Sequence, residues 1–70
     1  MKKRYGVIIE YKKGNEEQYH FKGIVYTLSL KKAKEYVKYA DSYDGGLLKY
    51  RAFGIFDYEE AVYKYIVKED

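Results

Sequence analysis

Few residues in this 70-residue chain are of types that carry out acid-base or nucleophilic chemistry. The single histidine, His20, lies between tyrosine and phenylalanine in an alternating apolar segment. A general base needs a partner within hydrogen-bonding reach, and the sequence assigns none to this imidazole. Ser29 is better explained as a helix N-cap, and Ser42 lies in a turn-forming segment, where serine bonds to the backbone. We therefore predict no catalytic residues and no enzymatic activity.

Two groups of carboxylates have spacings that a metal site would need. Asp57, Glu59 and Glu60 follow one another closely, but their position at a predicted helix start already explains them through capping and the helix dipole. Asp41 and Asp44 resemble a calcium loop only loosely, because the alternating ligands and the terminal glutamate are missing. No segment has the glycine spacing and the Lys-Ser/Thr ending of a phosphate-binding loop. We predict neither a metal nor a cofactor.

Lysines recur at helical spacing in the segment Leu28–Ala40. Lys31, Lys34 and Lys38 would form a ridge on one side of a helix whose other side is apolar. Such a ridge suits a solvated helix face, where long cationic side chains keep a small domain soluble. It would also suit a nucleic acid, because counterion release from phosphates rewards clustered cations, and the N-terminal Lys-Lys-Arg could extend it. We prefer the solvated face and keep nucleic-acid binding as the alternative.

Aromatic residues are the second unusual feature of the composition. Eleven tyrosines and three phenylalanines make up 20% of the chain, which exceeds what a thin core can bury, so several rings should be exposed. Tyrosine and arginine are enriched at the energetic centres of protein-protein interfaces. The predicted contact group consists of Tyr5, Tyr19, Tyr26, Lys49, Tyr50 and Arg51. The same surface could instead form a homodimer.

Length and composition limit the class of protein. Seventy residues make one domain, residues 1–70, with a thin hydrophobic core, and the absence of cysteine excludes disulfides and thiolate metal sites. The apolar run near the N-terminus is interrupted by Glu10, so we expect neither a signal peptide nor a membrane span. The expected location is intracellular, in the cytoplasm. A net charge of +3 is too small to indicate a dedicated nucleic-acid binder.

Three segments alternate apolar and polar residues in the way of half-buried strands. They are Arg4–Tyr11, Gln18–Thr27 and Leu47–Phe56. The charged segment 12–17 predicts a hairpin with a long loop between the first two. In the third strand, strict alternation would place the following residues on one face: Leu48, Tyr50, Ala52, Gly54 and Phe56.

Two helices are predicted from their start signals. Ser29 is a good N-cap, so the first helix should begin at Leu30, and the glycines of the segment Asp41–Gly46 should end it. Asp57 should cap a second helix, with Glu60 completing a pair that resembles a capping box. The apolar stripes of the two helices should be largely buried at Leu30, Val37, Ala61, Val62 and Ile66.

The predicted fold class is α+β, in the order β-β-α-β-α. A small, three-stranded, mostly antiparallel sheet would carry two helices on one face, and the most apolar strand, Arg4–Tyr11, would lie in the centre. The other face of the sheet would be open to solvent or to a partner.

These features favour a binding protein over an enzyme. Small cysteine-free domains without a catalytic set are common among accessory proteins of phages, viruses and other mobile elements, some of which inhibit host proteins. This is an analogy of size and composition. Our hypothesis is a small non-enzymatic protein-binding module that inhibits a host protein by occupying its surface; the alternative is a nucleic-acid-binding accessory protein.

Overall fold

The structure, a computed structural model, describes residues 3–43 and 46–68 of the chain. In this part, the elements are β1 (Tyr5–Lys13), β2 (His20–Thr27), α1 (Leu30–Ser42), β3 (Leu48–Asp57) and β4 (Val62–Ile66). The strands form one sheet in the order β2-β1-β3-β4, and every neighbouring pair is antiparallel. Helix α1 packs on one face of this sheet, mainly on β3 and β1.

The first half of the chain folds as its sequence predicts. β1 is a central strand, because its apolar residues on both faces suit a position between two neighbours. Helix α1 begins at Leu30, and the Ser29 hydroxyl accepts a hydrogen bond of 3.3 Å from the Lys32 N–H.

The helix ends at Ser42, and its C-cap, Tyr43, has an extended backbone (φ −71°, ψ 125°), so the predicted exit through a left-handed glycine is wrong. In the segment that follows, Asp44 and Gly45 lie outside the described residues, and Gly46 has a left-handed φ of 78°.

The predicted second helix is wrong, and with it the three-stranded sheet with two helices. Asp57 does cap a turn, since its Oδ1 accepts the N–H groups of Glu59 at 2.9 Å and Glu60 at 3.3 Å. The turn then ends at Ala61, whose φ of 57° is left-handed and incompatible with a continuing helix. The next residues, Val62–Ile66, are β-branched or aromatic at four of five positions, which favours a strand. The chain therefore returns as β4, and the fold is mostly β.

This change of element exposes residues that a helix would have buried. Ala61, Val62 and Ile66 are exposed, while Leu30 and Val37 of α1 are half-buried against the core. The buried core lies between α1 and the sheet and is as thin as the length implies. Its buried apolar members are Tyr5, Val7, Ala33, Ala52 and Ile55.

A line of β-bulges crosses the sheet. Each outer strand has one extra residue relative to its neighbour, Lys22 in β2 and Lys64 in β4, and β3 has Phe53. Each extra residue shifts the alternation, so the residues before and after it change faces. Bulges and lysines are both means by which natural edge strands avoid pairing with another chain. Both edge strands of this sheet, β2 and β4, have a bulge with a lysine at the extra position.

Deletion of Lys22 should therefore promote edge association. All other residue pairs between β1 and β2 can persist without it, so the strand would become regular and its outer backbone groups would be free to pair. We expect the deletion variant to shift toward larger species than the parent protein in light scattering.

The matched control is Lys22→Ala, which keeps the extra residue and removes only the charge, and it should shift less. A well-folded deletion variant with the oligomeric state of the parent would contradict this interpretation of the bulge.

Asp57 is the buried charged group at the end of β3. Its side chain is fully buried, and its Oδ2 accepts a hydrogen bond of 3.3 Å from the Arg4 guanidinium. Burial alone would raise the pKa of Asp57, but the N–H groups of Glu60 and Glu59 and the charge of Arg4 together outweigh it. The net effect holds the pKa below its usual value of 3.8. The charged form therefore ties the start of β1 to the β3–β4 turn.

The depressed pKa predicts acid sensitivity. A group whose folded-state pKa lies below 3.8 contributes stability above that pH and loses the contribution as the pH falls through the folded-state pKa. Asp57→Asn should lower the melting temperature at neutral pH and flatten its fall in acid. Glu59→Gln is the control, because Glu59 also pairs with Arg4 but is 69% exposed. Equal effects of the two substitutions on thermal unfolding would be inconsistent with a special role for Asp57.

Candidate functional site

The sheet face opposite α1 is uncovered and rich in aromatic rings. Tyr26 of β2 is in register with Gly6, Gly6 with Phe56, and Phe56 with Tyr63, so their side chains share this face. Phe53, the bulge residue of β3, contacts Tyr63 on the same side. Tyr58 reaches back from the β3–β4 turn to join them. We call this set the aromatic face: Tyr26, Phe53, Phe56, Tyr58 and Tyr63.

The rings of the aromatic face contact one another largely edge-on. The ring of Phe56 lies 5.0 Å from that of Tyr58 and 5.1 Å from that of Tyr63, both in T-shaped geometry. The Tyr26 and Tyr58 rings are 6.0 Å apart. Each of the three tyrosines is more than two-fifths exposed. The result is a continuous surface of packed rings that remains in contact with solvent.

Gly6 makes room for the Tyr58 ring. A Cβ at this position would lie 2.9 Å from Cε2 of Tyr58 and 3.0 Å from the Ile24 side chain. Burial, followed by hydrogen bonding with Tyr26, raises the pKa of the Tyr58 hydroxyl. Tyr58 thus fills a hollow in the sheet and keeps a polar group at its edge.

The open side of the sheet is apolar at one end and charged at the other. Ile8, Ile24 and Ile66 form an aliphatic row beside the aromatic face, and Ile66 is 53% exposed. Beyond that row, the Arg51 Nε donates a hydrogen bond of 2.9 Å to Glu10. The Arg51 guanidinium also lies 3.9 Å from the centroid of the Tyr19 ring. Lys3 lies over Tyr26 at the apolar end, 4.2 Å from the ring centroid.

Four of the six predicted contact residues share this open side. Tyr19, Tyr26 and Arg51 lie there, and Lys49 is exposed and in register with Lys12 at the charged end.

The other two lie on the helix side. Tyr5 is 7% exposed and belongs to the core. Tyr50 lies beside α1, because the Phe53 bulge shifts the alternation of β3 and separates Tyr50 and Ala52 from Gly54 and Phe56. The prediction that Leu48, Tyr50, Ala52, Gly54 and Phe56 share one face of the third strand is therefore wrong.

The predicted contact group contains only Tyr26 of the aromatic face and misses its other four members. Phe56, Tyr58 and Tyr63 were assigned to the end of a strand and to a helix, so no common surface was expected. The signal that could have found Tyr63 is the β-branched and aromatic content of Val62–Ile66, which favours a strand over a helix.

The lysine ridge of α1 is exposed, as its spacing predicts. Lys31, Lys34 and Lys38 all lie on the side away from the buried Ala33. No ion pair joins any of these three side chains to a carboxylate within residues 3–43 and 46–68. Of the N-terminal basic residues that could extend the ridge, Lys2 lies outside the described residues. The ridge and the aromatic face are on opposite sides of the molecule.

A second apolar surface lies beside the helix. The C-terminal half of α1 and the facing parts of β1, β2 and β3 line an open groove of about 390 Å³. Its walls are almost entirely carbon, with tyrosines prominent among them. We call it the tyrosine groove, and its lining residues are Ile9, Val25, Tyr36, Tyr39, Ala40, Tyr43 and Tyr50.

His20 has a partner that the sequence did not reveal. Its Nε2 lies 2.8 Å from a carboxylate oxygen of Glu16, and both side chains are partly exposed. The backbone N–H of Lys13, followed by His20, lowers the pKa of Glu16. The pair closes the β1–β2 loop by linking residues four apart. This local bond explains the histidine as a loop contact.

Among residues 3–43 and 46–68, no three His, Cys, Asp or Glu residues are grouped in a way that could hold a metal ion. In the same residues, no helix has the length and apolar character needed to cross a membrane.

No protein-family model, curated protein or solved structure matches this chain. Its candidate surfaces are therefore interpreted from their own geometry.

Proposed function

We propose that this protein is a small protein-binding module that docks its partner on the aromatic face. The observation that supports the proposal is the uncovered group of packed rings, with Tyr26, Tyr58 and Tyr63 each more than two-fifths exposed. Large contiguous apolar patches on small proteins often mark interaction sites. Tyrosine suits such a site, because it buries much area at a small cost in side-chain entropy.

The sheet edges are poorer docking sites than the face. A peptide that adds a strand needs a regular edge with free backbone groups. The bulges at Lys22 and Lys64 interrupt both edges of this sheet. A partner that packs flat against the face meets neither obstacle, and sheets pack face to face readily at about 10 Å.

The ring geometry favours a protein partner over single-stranded nucleic acid. Base stacking uses the free face of an aromatic ring. Here the Phe56 ring is engaged by Tyr58 and Tyr63 through T-shaped contacts, which leaves a continuous patch instead of separate stacking platforms. At the charged end of the sheet, Arg51 is paired with Glu10. An apolar protein surface with a polar rim fits this pattern best.

In this proposal the protein acts by covering a surface of its partner. Accessory proteins of phages, viruses and other mobile elements inhibit host proteins in this way, and the size and composition of the chain suit that role by analogy. Binding alone would then produce the effect, without a chemical step.

The proposal predicts that Tyr26→Asp disrupts partner binding while Val25→Asp does not. The two residues are adjacent in an edge strand and are similarly exposed, at 41% and 38%, but they lie on opposite faces. A charge in the centre of an apolar interface should weaken binding by at least about tenfold. The measurement is quantitative affinity capture from the organism that carries the gene, with mass spectrometry, using the parent and both variants as bait.

Nuclease treatment separates the partner classes in that experiment. A protein that survives nuclease, is captured by the parent and Val25→Asp, and is lost with Tyr26→Asp is the expected result. Capture that depends on nucleic acid, or that both variants retain equally, would refute the proposed site.

The lysine ridge supports the alternative function, binding of nucleic acid. The observation in its favour is that Lys31, Lys34 and Lys38 are exposed and without ion pairs among the residues that the structure describes. Against it, Glu35 and Asp41 interrupt the cationic run, and the net charge is only +3. We therefore rank it second.

A salt titration decides between the two interpretations of the ridge. If the ridge bound duplex DNA through four phosphates, affinity should fall with a log-log salt slope of about −3.6. Changing the three lysines together to glutamate should then abolish binding without unfolding the protein. We expect instead weak binding that the triple variant leaves unchanged. Fluorescence anisotropy with duplex and single-stranded probes at two salt concentrations measures both quantities.

A further inference from the structure

The tyrosine groove has the size and chemistry of a small-molecule site. Its volume of about 390 Å³ lies within the range of roughly 300 to 1,000 Å³ that is typical of ligand pockets. Ile9, Val25 and Ala40 supply aliphatic contacts, and four tyrosines supply ring carbons, so the wall is almost entirely apolar. Ligand pockets in proteins are lined mostly by apolar and aromatic side chains. The groove is separate from the aromatic face, so this inference does not depend on the proposed function.

A cation lies at the rim of this groove. The Lys22 Nζ is 5.7 Å from the centroid of the Tyr50 ring, which lines the groove. No carboxylate of the described ranges forms an ion pair with Lys22. The β2 bulge explains its position, since the extra residue directs this side chain to the helix side of the edge strand. An apolar wall thus meets a positive charge that no carboxylate in those ranges neutralises.

Lysines outnumber carboxylates on the helix surface beside the groove, so the charge there is also positive. Lys32 and Lys38 lie near Tyr36 and Tyr39, and Glu35 is the one carboxylate among them. Asp41 lies further along the helix, where its Oδ1 accepts a hydrogen bond of 3.2 Å from the Ala52 N–H. The surroundings therefore favour an anionic group over a cationic one.

We propose that the tyrosine groove binds a free carboxylic acid with an acyl chain of medium length. The chain lies along Ile9, Val25 and Ala40 between the tyrosine rings, and the carboxylate pairs with Lys22 at the rim. Each further methylene that enters the groove removes apolar surface from water, and the single charge sets the orientation.

A quaternary ammonium ligand is the main competitor, because tyrosine rings attract cations. The Tyr50 ring already has Lys22 within cation-π distance. A second cation would meet repulsion from this ammonium and from the lysines of the helix. The proposal therefore predicts a clear preference between head groups on the same chain.

The first experiment titrates the protein with octanoate, octanol and octyltrimethylammonium below their micelle concentrations. Amide chemical shifts of Val25, Ala40 and Tyr50 should follow saturable binding, tightest for octanoate and weakest for the ammonium compound. Hexanoate should bind several-fold more weakly than octanoate, since burial of each methylene changes affinity by up to about fourfold. Tighter binding of the ammonium compound, or shifts confined to the aromatic face, would overturn the proposal.

Two variants test the contacts. Val25→Asp places a negative charge in the groove and should abolish octanoate binding, whereas Tyr26→Asp on the other face should leave it intact. Lys22→Gln should weaken octanoate by about two- to fivefold, the range for an exposed ion pair, and leave octanol unchanged. Thermal unfolding of each variant confirms that it is folded. Equal loss in Val25→Asp and Tyr26→Asp, or equal effects of Lys22→Gln on both ligands, would refute the groove or the role of the cation, respectively.

Discussion

One helix has to cover a four-stranded sheet in this molecule, and it is too narrow to do so. An α-helix with its side chains is about 10 to 12 Å wide, whereas four strands about 4.8 Å apart span about 14 Å between the outer axes and more with their side chains. Helix α1 lies mainly over β3 and β1. With one helix in the described residues, the opposite face has no covering layer, and the narrow helix leaves part of its own face uncovered beside β2. The aromatic face and the tyrosine groove are the two consequences of this single shortage.

The identity of the last element decides this geometry. Had the segment after Asp57 formed a helix, the sheet would have kept three strands and a larger part of it would have been covered. The local cap at Asp57 forms in either case, because the carboxylate accepts N–H groups from the first turn. The path of the chain beyond this cap depends on Ala61, whose left-handed backbone ends the turn, and on the strand preference of Val62–Ile66. The partly buried Arg4–Asp57 contact then attaches this turn to the start of β1.

The sequence predicts the local signals better than their tertiary outcome. Ser29 identifies the start of α1 correctly, and the apolar character of β1 identifies a central strand. A capping signal, in contrast, is common to a helix and to a single turn, so Asp57 alone could not distinguish them.

The candidate surfaces were predicted only in part. Tyr26 and Arg51 lie on the open side as expected, but alternation fails wherever a bulge intervenes, and the bulge at Phe53 moved Tyr50 to the helix side. A bulge depends on how a strand pairs with its neighbour, so one strand's sequence carries little information about it. The two errors therefore differ in origin: the pairing partner sets a bulge and is absent from any local pattern, whereas the strand preference of Val62–Ile66 is present in the sequence.

The alternation of β2 has a consequence for how this protein can change over time. Val25 and Tyr26 are encoded by adjacent codons, yet Val25 faces the tyrosine groove and Tyr26 belongs to the aromatic face. Selection can therefore adjust either surface by point substitution with little effect on the other. A single-residue insertion in the same strand would exchange the two side chains and alter both surfaces at once. We expect variation among natural relatives to proceed in this strand by replacement and to avoid changes of length.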